Sequence, residues 1–497
     1  MPKITLDGKE LEVPAGMNLI EAAKVGGVEI PYYCYHPSLS IVAQCRMCLV
    51  EVKGQHKLVP GCQTKVAEGM VVNTQNQKVK AAQAAVLEFF FVNHPVDCPI
   101  CDQAGECKLQ DYYMKYDLAE HRSTEPRLEK RKRQPFGPMV MYDAERCILC
   151  TRCVRFTQEV TKTNELVMFQ RGDHNEIGFF PGMDLSENPY SGNVVDLCPV
   201  GALTSRDFRF KVRVWMLKSV PSVCSGCATG CNVVLQHQDN QMHRILPREN
   251  PEINRYWLCD EGRLRYHPVN EGRFLHPRVG KQDAPWVDAV TKAAESLTAS
   301  RGELGLVLSP QSTNEDAYVA VKLAQFAGIK KMYIGGLAPG ESDDFLRHAD
   351  KNPNRVGILV QAPKPGLIDD LIDDLKAKKL SALLVIGQDL TGQDDDVLSA
   401  LGDIPVVGMI ENESGWTDRA QVLLPISTWA EVDGHFTNAE GKSQAITAAV
   451  KTNGESEPTW RVLCRLGQKL GHKMNYRSVR EIQAEMRGQH YSAGFNA

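Results

Sequence analysis

The apolar and polar positions of the first eighty residues fall into short runs broken by turn signals. Ile4–Leu6 and Leu11–Val13 flank Asp7-Gly8, a dipeptide suited to a tight hairpin, and predict two antiparallel strands. Asn18 stands where a helix cap belongs, ahead of Leu19–Val25, and Gly26-Gly27 stops that helix. Gln77–Val92 reads as an amphipathic helix that delivers its end onto His94-Pro95. A charged stretch, Glu125–Gln134, then leads into a block from Arg146 to about Phe210, and a further block runs from Val220 to about Tyr266. From about Val279 the texture changes. Leu304–Leu308, Lys331–Ile334, Ala382–Ile386 and Ile404–Ile410 are short apolar runs separated by helical segments such as Asn314–Ala327 and Ile368–Lys378. Strands alternating with helices predict a doubly wound parallel sheet.

Length makes this a multidomain chain: 497 residues allow several domains with real cores. With 57 Lys+Arg against 61 Asp+Glu the net charge of −4 is close to neutral, which argues against a nucleic-acid binder. The longest apolar candidate, Ala81–Val92, is short and carries Gln83 and Glu88, so no membrane span is expected. The start, Met1-Pro2-Lys3-Ile4-Thr5-Leu6-Asp7-Gly8, lacks the apolar core of a signal peptide, and a reducing cytosolic setting is expected.

In that setting the 16 cysteines call for metal or catalysis rather than disulfides. Fifteen lie between Cys34 and Cys259, and only Cys464 lies beyond. The first group is Cys34-x10-Cys45-x2-Cys48-x13-Cys62. Four thiolates with one tight pair suit a [2Fe-2S] cluster, although the first gap is longer than in plant-type ferredoxins, and tetrahedral zinc also fits. A hairpin, a helix and this cysteine-bearing loop are compatible with a small β-grasp ferredoxin domain to about residue 78. The second group is His94-x3-Cys98-x2-Cys101-x5-Cys107. Three cysteines leave one corner of a cubane open. His94 can fill it, with Asp97 and Asp102 as rivals. Fifteen clustered cysteines plus one histidine make four sets of four, which favours His94.

The third group is the most specific. Cys147-x2-Cys150-x2-Cys153 is the bacterial ferredoxin run, and its Cys-Pro arrives 44 residues later as Cys198-Pro199. In two-cluster ferredoxins the Cys-Pro of one run completes the other cluster, so one [4Fe-4S] cluster survives here. The fourth group, Cys224-x2-Cys227-x3-Cys231-x27-Cys259, again suits a [4Fe-4S] cluster, with zinc as the alternative. No GxGxxG follows a strand, and neither HExxH nor GxSxG appears. Gly441-Lys442-Ser443 looks like the end of a phosphate loop, but Phe436 stands where its first glycine belongs. A chain with four redox centres and no visible substrate pocket reads as an electron conductor, with no catalytic residue of its own. Lys130-Arg131-Lys132-Arg133 is expected to be a solvated or subunit-docking segment, Phe89-Phe90-Phe91 to pack core around the clusters, and Cys464, on an apparent helix Trp460–Leu470, to be a buried small hydrophobe.

At these motifs the sequence resembles the large iron–sulfur subunit of NADH:quinone oxidoreductase, respiratory complex I. The matching stretches are Cys34-Tyr35-His36-Pro37, Cys45-Arg46-Met47-Cys48, Asn93-His94-Pro95-Val96-Asp97-Cys98 through Cys107, Arg146-Cys147 through Phe156, Glu176-Ile177-Gly178 and Ser191-Gly192-Asn193 through Pro199. The resemblance runs from residue 1 to about 275. It implies that His94 ligates with three cysteines, and that the fourth cluster is an extra, off-pathway one found in some bacterial members. It also implies that electrons arrive from a flavin subunit that oxidises NADH. They would pass the [2Fe-2S] cluster, the Cys147 cluster and the His94 cluster toward subunits that reduce quinone. Leu423-Leu424-Pro425 through Gly441 resembles a segment of molybdopterin oxidoreductases.

The expected organisation is therefore multidomain α/β. Its parts are 1–78, a β-grasp [2Fe-2S] domain; 79–140, a one-His/three-Cys [4Fe-4S] domain; 141–216, a ferredoxin-like [4Fe-4S] domain; 217–276, a molybdopterin-oxidoreductase-type [4Fe-4S] domain; and 277–497, a truncated molybdopterin-oxidoreductase-like region. One [2Fe-2S] and three [4Fe-4S] clusters are expected, without molybdopterin, flavin or NAD on this chain. The expected partners are the flavin subunit and other peripheral-arm subunits of complex I, and membrane-arm subunits indirectly, at the cytoplasmic face of the bacterial inner membrane. The alternatives are the electron-transfer or catalytic chain of an NAD-linked formate dehydrogenase or of a hydrogenase. Ala43 departs from a glycine common before Cys45.

Overall fold

Asp7 and Gly8 both take positive φ, 48° and 84°, which closes the hairpin of β1 (Lys3–Leu6) and β2 (Lys9–Glu12) with the twist that two-residue turns favour. In this computed structural model residues 1–116, 122–300, 302–362, 364–387, 390 and 395–493 are described. The chain divides into two units, Met1–Leu217 and Lys218–Ala497, a coarser division than the five segments expected from sequence.

In the first unit, β1 and β2 join β3 (Leu49–Val52), β4 (Val59–Pro60) and β5 (Val71–Asn73) in a sheet ordered β2-β1-β5-β3-β4, with β1 and β5 parallel. Helix α1 (Leu19–Val25) starts at Asn18, whose side chain accepts from Glu21 N–H at 3.0 Å. Leu19, Ile20, Ala22 and Ala23 of that helix pack on Ile4, Leu6, Val50 and Val72, the β-grasp arrangement. Helix α2 (Gln77–Asn93) buries Val79, Gln83, Leu87 and Phe91 at four-residue spacing. The three consecutive phenylalanines Phe89-Phe90-Phe91 are therefore not all core, contrary to expectation. Consecutive helical residues point about 100° apart, and Phe89 stands 77% exposed while Phe91 is buried. Helix α3 (Lys108–Tyr116) packs beside α2. Strands β6 (Gln134–Pro135), β7 (Val140–Tyr142) and β10 (Leu203–Ser205) form a small antiparallel sheet, and β8 (Val167–Phe169) pairs with β9 (Glu176–Gly178). The basic run lies at the surface, with Arg131, Lys132 and Arg133 exposed as expected, and three of its residues also bond within the chain. Lys130 donates to Asn175 O at 2.6 Å, Arg131 pairs with Glu176, and Lys132 pairs with Glu145 at 2.6 Å.

The second unit opens with an antiparallel sheet of β11 (Lys218–Val223), β12 (Asn232–Gln238) and β13 (Gln241–Pro247). Its larger sheet has seven strands. Short β14 (Arg278–Val279) and β15 (Gln282–Asp283) form an antiparallel edge beside five parallel strands. The parallel strands are β16 (Glu303–Leu308), β17 (Lys331–Ile334), β18 (Leu380–Ile386), β19 (Val406–Ile410) and β20 (Val422–Pro425), in the order β20-β19-β18-β16-β17. Alternate residues serve two cores. Leu306, Leu308, Leu384 and Ile386 face one, with the helices Trp286–Thr298, Asn314–Phe326 and Thr459–Lys469; Val307, Leu383 and Val385 face the other, with Ile368–Lys376. A parallel sheet covered on both sides explains why these strands read as nearly unbroken apolar runs. Cys464 lies in the first of these cores, 4% exposed. No helix among the described residues is long and apolar enough to cross a membrane.

Candidate metal centres

The first cysteine set sits at one end of the five-stranded sheet. Cys34 follows α1, Cys45 and Cys48 precede β3, and Cys62 follows β4; all four are buried. The loop turns sharply through Ala43 and Arg46, with φ of 49° and 58°. This accounts for the expected glycine before Cys45, since the left-handed conformation is easy for glycine and costly for alanine. Cys34 N–H donates to Cys45 Sγ at 3.5 Å. The thiols associate as two pairs. A hydrogen bond from Cys45 pulls the Cys34 thiol down to about 6, while its partnership with Cys34 and then burial push Cys45 up. Cys62 is likewise lowered by its bond with Cys48, and Cys48 raised by the same bond. Two close pairs suit two metal ions, each taking two thiolates.

The second set begins where α2 ends. His94 precedes Pro95, and the proline ring forces it out of helical conformation, at φ −69° and ψ 122°. Burial lowers the His94 imidazole to about 4, so it is neutral at physiological pH, the form that binds metal. Its Nδ1 is buried without a hydrogen-bond partner. Cys98 lies close to Cys101 and Cys107; burial raises the Cys101 thiol and drives Cys107 up to about 11, with the neighbouring thiols adding to both. Arg146 lies beside both His94 and Cys101. The rival acids are committed elsewhere. Asp97 accepts from Arg146 Nη2 at 2.5 Å and Nε at 3.2 Å, and Asp102 accepts from Phe210 N–H at 2.9 Å.

In the third set Cys147, Cys150 and Cys153 wrap a tight loop made possible by Leu149 and Thr151, at φ 54° and 59°. Helix α4 (Arg152–Arg155) continues from it. Cys198 ends α5 (Asn193–Leu197), immediately before Pro199. The four cysteines line one small cavity with Tyr142 and Ile177. Burial raises Cys147 and Cys150 to about 11 and Cys198 to about 12, and burial with three neighbouring thiols lifts Cys153 well above its ordinary value. The Tyr142 hydroxyl donates toward Cys147 and accepts from Ile177 N–H at 3.2 Å. Four clustered thiols with raised pKa are a poor resting state for protein alone; bound cations favour the thiolates.

The fourth set joins the ends of strands. Cys224 follows β11, Cys231 precedes β12, and Cys259 caps α6 (Asp260–Leu264), its sulfur accepting from Gly262 N–H at 3.3 Å. Cys227 lies between, and Cys224, Cys227 and Cys259 all bear on Cys231. A side chain at Gly262 would stand 3.1 Å from Cys224 Sγ and 3.4 Å from Cys259 Sγ, so glycine keeps this cradle open. Among the described residues no three His, Cys, Asp or Glu side chains converge as a single ion would need.

Some residues around the centres were not singled out from sequence. Gly201 lies against the second set: a Cβ there would fall 2.3 Å from Cys101 Sγ. Lys108 N–H donates to Pro199 O at 3.0 Å, tying the start of α3 to the Cys198 loop. The signal for Gly201 is present in Cys198-Pro199-Val200-Gly201, but spacing alone does not show what it faces.

Known families match along the chain. Residues 2–77 match the 2Fe-2S iron-sulfur cluster binding domain, 83–122 the NADH-ubiquinone oxidoreductase-G iron-sulfur binding region, and 137–204 the NADH-quinone oxidoreductase subunit 3, ferredoxin-like domain. Residues 217–267 match the NADH-ubiquinone oxidoreductase NDSU1/NuoG-like, 4Fe-4S domain, and 360–469 the molybdopterin oxidoreductase family. The chain is 39% identical over 332 residues to the G subunit of NADH-quinone oxidoreductase from Streptomyces coelicolor, 65% of this chain and 39% of that protein. It is 38% identical over 336 residues to the G subunit from Mycobacterium tuberculosis, covering 65% and 42%, and 37% identical over 326 residues to the one from Rickettsia conorii, covering 65% and 48%. The match thus spans less than half the length of these curated relatives. A solved chain of an NAD+-reducing [NiFe]-hydrogenase in the H2-reduced state is 25% identical with a TM-score of 0.39, over 43% of this chain and 91% of that one. Through its four cysteine sets and these matches, the chain is a homologue of the G subunit of NADH-quinone oxidoreductase.

Proposed function

We propose that the chain is the iron–sulfur electron-transfer subunit of an NADH:quinone oxidoreductase, passing single electrons from an NADH-oxidising flavin subunit toward quinone. What carries the reading is the gathering of three buried or half-buried cysteine sets within residues 1–217, each on a differently built loop. Cys34, Cys45, Cys48 and Cys62 would hold a [2Fe-2S] cluster, their two thiol pairs serving one iron each. His94, Cys98, Cys101 and Cys107 would hold a [4Fe-4S] cluster, the unpartnered His94 Nδ1 filling the fourth corner. Cys147, Cys150, Cys153 and Cys198 would hold another, and Cys224, Cys227, Cys231 and Cys259 a further one in the second unit. Bound there, such clusters supply one-electron transfer. The chain's own part is to bury them, exclude water and set potentials through ligand identity and hydrogen bonds to sulfur, as Tyr142 does toward Cys147. In this reading the chain's own residues take no part in acid–base or nucleophilic chemistry. The partners in this reading are the flavin subunit and other peripheral-arm subunits, at the cytoplasmic face of a bacterial inner membrane, and the molybdopterin-type region serves as scaffold without a pterin.

The test is anaerobic purification with co-purifying subunits identified, followed by iron, zinc and molybdenum analysis. About 14 iron atoms per chain are expected, from one two-iron and three four-iron clusters. A zinc-loaded, iron-free chain recovered alone overturns the reading.

A further inference from the structure

Arg155 comes two residues after Cys153, in the last turn of α4, and only 4% of it is exposed. Its guanidinium lies between the loops of two different cysteine sets. Nη2 donates to Cys34 O at 2.6 Å and to Cys150 O at 3.3 Å; Nη1 donates to Ser40 O at 2.5 Å, and Nε to Thr151 Oγ1 at 3.4 Å. Neighbours strengthen the same seam. Gln44 Nε2 donates to Leu149 O at 2.5 Å, Ser40 N–H donates to Glu159 at 2.7 Å, and Arg152 reaches Leu197 O at 3.1 Å and Tyr35 O. Apart from the bond to Leu197, these neighbouring contacts join the segment 35–44 to the segment 149–159.

We propose that Arg155 is a shared positioning residue for the Cys34 and Cys147 centres, fixing one ligand loop against the other and raising the reduction potential of both. This inference rests on the iron–sulfur reading above and deepens it. A guanidinium stays protonated at any physiological pH, so this is a permanent buried positive charge. Its planar fork can meet two carbonyls at once, which an ammonium cannot do with the same geometry. Adding an electron at either centre adds negative charge near that cation. The reduced state is therefore stabilised over the oxidised one, and more strongly in a buried site than in water. Because the same group bonds the backbone of Cys34 and Cys150, its removal must be felt at both centres together.

The test uses the full chain in its purified complex, with Arg155→Gln and Arg155→Lys. Each is titrated with a chemical reductant while the cluster signals are followed by electron paramagnetic resonance. Arg155→Gln is expected to lower the reduction equilibrium at least tenfold at both centres, about 59 mV for one electron. Arg155→Lys, which keeps the charge, is expected to recover about half of that shift or more. Unchanged potentials in an iron-replete Arg155→Gln variant, or a shift at one centre alone, overturn the proposal. If Arg155→Gln sheds iron, counting decides. Joint loss from the Cys34 and Cys147 sets, with the Cys224 set retained, agrees with a shared brace, and loss from one of the two alone refutes it. An iron-free wild-type chain would instead overturn the reading on which this inference rests, and needs no variant to be seen.

Discussion

Gly201→Ala places one methyl group where the structure has no room for it. The added Cβ would lie 2.3 Å from Cys101 Sγ, 3.1 Å from Gln103 Cβ and 3.7 Å from Arg146 Cδ. Non-bonded heavy atoms rest about 3.5–4.0 Å apart, so sulfur and methyl must separate by more than about 1 Å. Relief by the methyl is blocked, because Pro199, two residues before it, is held by Lys108 N–H at 3.0 Å and Arg146 is anchored on Asp97. Cys101 must therefore move, and it is a proposed ligand. Overpacking of a protein core ordinarily costs about 1–3 kcal/mol, but a metal site is less forgiving, since its bond lengths hold to about 0.2 Å. The expected result is selective loss of the Cys98–Cys101–Cys107 centre, about four iron atoms per chain, with the Cys34 and Cys147 signals kept. Iron analysis and electron paramagnetic resonance on the anaerobically purified complex measure it. A Gly201→Ala protein with full iron and an unchanged spectrum would refute both the steric argument and the placement of Cys101 at a cluster.

Other outcomes follow from the same geometry. His94→Cys replaces a neutral ligand with a thiolate, so the potential of that centre is expected to fall; a rise measured electrochemically would contradict the assignment of His94. Ala43→Gly removes a left-handed strain at φ 49°, and the thermal midpoint of cluster loss should rise by the equivalent of about 1 kcal/mol, a fall counting against it. Burial raises the Glu411 carboxyl from 4.5 to about 7, with Arg273 opposing and Glu431 adding to the shift. A raised carboxyl contributes stability fully present below about pH 4.5 and lost as pH climbs through 7, so Glu411→Gln should match wild type near pH 4.5 and exceed it at pH 8 by at most about 3 kcal/mol. Denaturant midpoints at the two pH values check the sign.

The parts of this fold that could be read from sequence are those governed by local rules. Asp7-Gly8 closes its hairpin because a two-residue turn needs positive φ, Asn18 caps its helix, and the buried parallel strands announce themselves as apolar runs because both faces are covered. The cysteine groups stand out in the sequence for a similar reason: a proposed cluster would impose its spacing on a short loop, and Cys147-x2-Cys150-x2-Cys153 carries such a spacing. Phe89 shows the limit of composition. Three consecutive aromatics look like core, yet helical rotation turns one of them outward.

What spacing could not reveal is what packs against each loop from far along the chain. Arg155 and Cys34 are 121 residues apart, and Gly201 meets a cysteine 100 residues earlier. Nothing in the neighbourhood of either residue distinguishes it from an ordinary arginine or glycine beside a cysteine motif. Their roles exist only once the segments are brought together, and they differ in kind from those of the ligands. A ligand is chosen by the metal's demand for thiolate. Arg155 is suited by its fork and permanent charge, and Gly201 by having no side chain to set against a sulfur. On the proposed iron–sulfur reading, the centres keep every cysteine and are still retuned or emptied by a change at either position, which is why variants at these two sites test that reading more sharply than removal of any one proposed ligand.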